Sequence, residues 1–185
     1  TRCGGIILTA EHYHALRGWF EAHPLARRCV VTLDRWLPLI PFVCYPVLLC
    51  LLNVQLFRLF SGKAGGAPDF MMEIARSVFV PGLTFWGGTL LRDKLNWPRP
   101  YEQPSFEPLV PKETHGHSFP SRHALSAAVL SMVWMRFYPA VGWVMVGITA
   151  LICLMRVLTG VHYPRDVLCG AALGFALGYA GMWLL

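Results

Sequence analysis

The chain has 185 residues, 55% of them hydrophobic and only 14% charged, with a formal net charge of +6. So apolar and sparsely charged a composition excludes an ordinary soluble domain. It predicts one all-α domain over residues 1–185, built as a polytopic transmembrane helical bundle. The basic residues are scattered among apolar stretches without forming a stripe, which argues against nucleic acid and for membrane lipids or an anionic substrate as partners.

Residues 1–36 form a mixed N-terminal segment whose apolar runs fall far short of the ~20 residues needed to span a bilayer. The stretch AEHYHALRGWFEAH sets Tyr13, Leu16, Trp19 and Phe20 near helical spacing, which predicts an amphipathic helix at the interface. A second short helix is predicted after Pro24. The opening residues lack the basic, apolar and small-residue blocks of a signal peptide.

The transmembrane core, 37–185, holds five apolar stretches, near 37–60, 70–91, 121–138, 140–158 and 166–185. The first contains Pro38, Pro41 and Pro46, which membrane helices tolerate better than soluble ones. SGKAGGAP after it reads as a loop. In the fifth, Gly170, Gly174, Gly178 and Gly181 make a smooth face for close helix packing. Cys3, Cys29, Cys44, Cys50, Cys153 and Cys169 show neither a CxxC nor a metal spacing and read as small hydrophobes.

With five crossings, the loops at 92–120 and 159–165 fall on one face together with the N-terminal segment. The loops near Lys63 and Pro139 face the other way. Three polar clusters therefore converge: RDKLNWPRP with Arg92, Lys94 and Arg99; FPSRH with Ser121, Arg122 and His123; and RVLTGVHYPRD with Arg156, His162, Arg165 and Asp166. Guanidinium forks aimed at one spot suit a phosphate dianion. Pro120–Ser121 suits the start of a helix, whose free N–H groups attract an anion. His162 and Asp166 are four apart, and in a helical turn the carboxylate fixes the imidazole tautomer and raises its basicity. Such a histidine can attack phosphorus, and His123 can protonate the leaving oxygen.

Each residue alone has a plainer reading. An arginine can snorkel to the interface, Lys94 can face headgroups, and Asp166 can be a helix N-cap. His115 and His117 read as solvated loop residues. A metal site built from His115, His117, His123 and His162 competes, but there is no HExxH or carboxylate cluster, and the arginines repel a cation. No metal and no cofactor are expected.

The three clusters, in order and in spacing, resemble the type 2 phosphatidic acid phosphatase superfamily of membrane lipid phosphatases. Its pattern is K-x6-R-P, then P-S-G-H, then S-R-x5-H-x3-D. Here 92–100 reads R-x6-R-P, 120–123 reads P-S-R-H, and 155–166 reads M-R-x5-H-x3-D. The resemblance implies that Arg92, Arg99, Ser121, Arg122 and Arg156 bind the substrate phosphate. It further implies that His162 is the nucleophile that becomes phosphohistidine, Asp166 its orienting partner and His123 the general acid, without a metal. The implied substrate is a lipid phosphate or pyrophosphate, with the site on the extracytoplasmic face; the small size of the chain suits a bacterial cytoplasmic membrane.

This chain departs from the pattern in having Arg92 for Lys, Arg122 for Gly and Met155 for Ser, and in offering five membrane helices where the family typically has six. Arg2, Arg17, Arg27, Arg28 and Arg35 fall on the site face, which by the positive-inside rule favours the cytoplasm. Loop 101–117 is placed to act as a lid or headgroup selector. Two rival functions stay open: a lipid phosphotransferase using the same histidine, and a non-catalytic anion-binding membrane protein.

Overall fold

The computed structural model describes residues 10–61, 67–104 and 106–185, and these are helical with connecting turns and loops. Arg2, Cys3 and Lys63, with most of the loop expected at 61–68, lie outside the described residues. The helices are α1 (Ala10–Ala22), α2 (Pro24–Trp36), α3 (Leu39–Ser61), α4 (Ala67–Leu95), α5 (Arg122–Phe137), α6 (Pro139–Leu158) and α7 (Pro164–Tyr179); a π turn over Ala180–Leu184 continues α7.

All five apolar stretches are helices, but among the described residues three segments are by themselves long and apolar enough to cross a membrane: Pro24–Ser61, Pro139–Leu158 and Pro164–Leu184. The chain is an integral membrane protein. α2 runs into α3 through the short turn at Leu37–Pro38, so part of the expected N-terminal segment is continuous with the first membrane-capable segment. α4, at 29 residues, exceeds the expected 70–91 and carries charges at both ends. Its length of ~44 Å therefore places Arg92 in its last turn and not in the following loop. α5 has only 16 residues and is buried along most of its length among the other helices.

Two local features explain how the bundle closes. Pro81 inside α4 has no N–H to give to the Ser77 carbonyl one turn earlier. Tyr45 of α3 supplies the missing donor, with its hydroxyl 2.8 Å from that oxygen. The glycine face of α7 lies directly on α5: a side chain at Gly170 would meet the Ser121 backbone, one at Gly174 the Leu125 carbonyl, and one at Gly178 the Met132 side chain. Close backbone approach on this scale is what small residues permit. Outward, α3, α4 and α6 expose large apolar residues such as Val43, Phe57, Phe79, Trp86, Trp143 and Val144. That is the surface a lipid solvent requires.

α1 does not lie free at the interface. Tyr13 is 1% exposed. Its hydroxyl donates to the Leu158 carbonyl (3.3 Å) and accepts the Leu109 N–H (3.0 Å), while its ring stacks on Phe106 at 4.2 Å. Arg17 pairs with Glu21 and Glu107. The expected lid, 101–117, is thus pinned to α1. Phe20 is buried with Tyr13, whereas Trp19 stays half exposed and stacks on His23.

Candidate active site

The first cluster starts in the last turn of α4, where Arg92 is buried. Asn96, at φ 41°, ends the helix, and its Oδ1 accepts the His117 N–H. A 3-10 turn over Pro100–Glu102 follows. Glu102 Oε1 accepts the N–H groups of Arg99 (2.8 Å) and Gly116 (2.7 Å), and Arg99 Nε donates to the Gly116 carbonyl (2.9 Å). Gly116 is at φ +61° with its α-carbon against the Asn96 side chain, so a larger residue is excluded there on both counts. This closed loop sets Arg99 in place.

The second cluster enters α5. The helix begins at Arg122, one residue later than the sequence suggests, with Ser121 extended at the N-cap position. The Ser121 N–H donates to the Asp166 carbonyl (2.9 Å), and its buried Oγ has no hydrogen-bond partner among the described residues. A free hydroxyl at a helix start, beside the orphan N–H groups of the first turn, favours an anion. His123 and the exposed Arg122 border a cavity of about 190 Å³ with Phe42, Phe85 and Ser126. Phe42, Phe85 and Ser126 also line an adjoining apolar cavity of about 340 Å³ between α3, α4 and α5.

The third cluster is the turn between α6 and α7. The Arg156 carbonyl accepts the N–H groups of Val161 (3.2 Å) and His162 (3.1 Å), across Gly160 at φ +74°. The turn is not helical, so the four-residue spacing alone does not bring His162 to Asp166. The hydrogen-bonded turn does, placing His162 Nδ1 3.7 Å from Asp166 Oδ2, somewhat longer than a hydrogen bond. Asp166 is not the N-cap either. It occupies the third position of α7 and accepts the N–H of the N-cap residue Tyr163 (3.1 Å). The same oxygen accepts a 2.5 Å hydrogen bond from Ser118 Oγ, and Arg165 Nε lies 3.4 Å from the other. Arg165 itself sits over the rings of Trp97 and Tyr163.

Arg156 points into the bundle and pairs with Asp34 of α2 at 3.4 Å. The acids nearest in sequence play other parts: Asp93 pairs with His117 at 3.1 Å, and Glu102 binds backbone. Met155, where the family pattern has Ser, packs with Leu37, Ala127 and Ile152. His115 and Lys94 are exposed, as expected. Among the described residues no three His, Cys, Asp or Glu side chains gather to hold a metal ion.

Burial pushes the His162 imidazole down to about 4, with help from the Arg99 and Arg92 guanidiniums; Asp166 opposes them without prevailing. The expected rise in basicity is therefore reversed. An imidazole free in water titrates near ~6.5, so His162 stays neutral from pH 7 down to about 4. If the ring acts unprotonated, the acid limb of activity that reports it should lie near this lowered value and not near ~6.5. Folding stability should also decline over this window as pH falls, because the unfolded chain takes up a proton that native His162 refuses. A rate limb centred at pH 6 or above would show that the imidazole keeps its solution basicity.

A profile of the PAP2 superfamily matches residues 73–185, the stretch that carries all three clusters. The chain belongs to the PAP2 superfamily. Sphingosine-1-phosphate phosphatase 2 of Mus musculus is 32% identical over 124 residues, covering 60% of this chain and 34% of that protein. Lipid A 1-phosphatase of Porphyromonas gingivalis is 30% identical over 87 residues, covering 43% of this chain and 19% of that one. The chain thus spans about a third or less of the curated relatives' length. The crystal structure of Aquifex aeolicus LpxE superposes with a TM-score of 0.64 at 21% identity, over 98% of this chain and 99% of that chain, which shows a shared fold.

Four residues of this PAP2 site escaped the sequence reading. Ser118 directly precedes the second cluster and carries no spacing signal. Asp34 and Tyr13 belong to the N-terminal segment, which was read only for amphipathicity. Lys112, exposed on the expected lid, lies within electrostatic range of Arg156, Asp34 and Arg99.

Proposed function

We propose that this protein is a membrane phosphatase that removes a phosphoryl group from a lipid phosphate or lipid pyrophosphate, through a phosphohistidine at His162 and without a metal ion. The observation that carries the reading is a buried imidazole, backed by a buried carboxylate at 3.7 Å and within electrostatic range of the buried guanidiniums of Arg99 and Arg92. The mouse and Porphyromonas relatives are both named as phosphatases of lipids.

With Nδ1 turned to Asp166, His162 presents Nε2. That atom attacks phosphorus, the bond from phosphorus to the lipid oxygen breaks, and His123 gives the leaving oxygen its proton. Water then attacks the phosphohistidine, His123 takes the water's proton, and phosphate departs with His162 restored. Arg92, Arg99, Arg156 and the first turn of α5 carry the charge of the phosphoryl oxygens through both steps. Ser121 Oγ and Arg122 add donors at the edge. The cavity bordering His123 and the apolar cavity adjoining it hold the upper part of the lipid tail, so that the headgroup enters sideways from the bilayer.

The test is phosphate release by the detergent-purified protein, with EDTA present, from phosphatidic acid, phosphatidylglycerophosphate, undecaprenyl pyrophosphate, sphingosine 1-phosphate and a lipid A phosphate. Release from at least one that EDTA leaves intact is expected. Loss of release in EDTA defeats the metal-free mechanism, and transfer of the phosphoryl group to an added lipid alcohol in place of water would make the protein a transferase.

A further inference from the structure

Asp34 is buried although its neighbours Leu33 and Arg35 face outward. Burying a carboxylate is costly unless it is paired. Its Oδ2 lies 3.4 Å from Arg156 Nη1, and its Oδ1 accepts a 3.4 Å hydrogen bond from Thr159 Oγ1. Arg156 is equally buried, and its Nε has no partner among the described residues, so the fork keeps donors for another anion. The backbone carbonyl of the same arginine anchors His162. Arg156 thus joins a phosphate donor to the turn that carries the nucleophile, and α2 holds the donor's side chain. Among the described residues, Asp34 is also the carboxylate that ion-pairs with one of the three cage guanidiniums. It lies outside the segment 73–185 that matches the family profile.

We propose that Asp34 is a positioning residue and counter-charge for Arg156, contributed to the site by the N-terminal helix pair. It holds the guanidinium in register with His162 and lowers the positive charge of the cage enough for product phosphate to leave. The proposal builds on the phosphatase reading above.

Asparagine at this position keeps an oxygen for Arg156 but removes the charge. Arg92, Arg99 and Arg156 then hold any phosphate dianion more tightly, substrate and product alike. Such uniform binding lowers KM and slows release. In Asp34→Asn, inhibition by inorganic phosphate should strengthen about tenfold while kcat and KM both fall. Asp34→Glu keeps the charge but displaces it by one methylene. Its affinity for phosphate should stay within about twofold of wild type while kcat falls about tenfold through misplacement of Arg156.

The experiment is calorimetric titration of the detergent-purified full chain with inorganic phosphate, beside kcat and KM on a lipid phosphate, for wild type and both variants. Phosphate affinity that is unchanged or weaker in folded Asp34→Asn overturns the counter-charge. Wild-type kcat in Asp34→Glu overturns the positioning role, and this variant decides the matter if Asp34→Asn fails to fold. A wild-type protein that binds phosphate yet releases none from any lipid would defeat the phosphatase reading and leave the affinity comparison standing.

Discussion

The His162→Ala variant should lose phosphate release by about 10⁴-fold or more, the scale seen when a covalent nucleophile is removed. The loss follows from position. His162 is 3% exposed, its Nδ1 faces Asp166, and its backbone N–H is anchored on Arg156. The arginines do not depend on the imidazole, so inorganic phosphate should bind the variant about as well as wild type. Brief incubation with radiolabelled lipid phosphate, followed by alkaline gel electrophoresis, should trap an acid-labile phosphoprotein in wild type and none in the variant. A variant working within tenfold of wild type, or one still labelled, would remove His162 from the chemistry.

Asp166→Asn should lower kcat by about 10³-fold with KM little changed, because a carboxylate that fixes a tautomer acts mainly in the transition state. The asparagine oxygen can still accept from Ser118 and from the Tyr163 N–H, so the start of α7 should survive. What is lost is the negative charge beside Nδ1. The imidazole is then free to carry its proton on the wrong nitrogen and to present no lone pair to phosphorus. Ser118→Ala, which only loosens Asp166, should cost about tenfold, as for one hydrogen bond to a charged group. Steady-state kinetics on the best lipid substrate separate the cases. A large rise in KM with kcat preserved would place Asp166 in binding and not in orienting His162.

The helices were legible because a membrane core needs long apolar runs, and 37–60, 140–158 and 166–185 carry that signal without ambiguity. α5 was found for the same reason but does not have the length of a crossing, since the helices around it do the shielding. The end of α4 was misjudged because Arg92, Asp93 and Lys94 read as loop, whereas charged residues can continue a helix to the interface. The pairing of His162 with Asp166 was anticipated from a helical spacing. The structure reaches it through a turn closed on the Arg156 carbonyl. The rise in His162 basicity failed because it weighed one carboxylate and not the burial that outweighs it.

The sequence by itself determined the membrane class, the family and the three motif clusters, since composition and short spacings are local properties of the chain. Only the tertiary structure decided which acid meets Arg156, which hydroxyl meets Asp166 and what α1 does. Those contacts join residues 122, 48 and 145 positions apart, at Asp34, Ser118 and Tyr13. No periodicity reaches that far. The same folding removes water from His162, and so decides by burial what charge alone would have decided the other way.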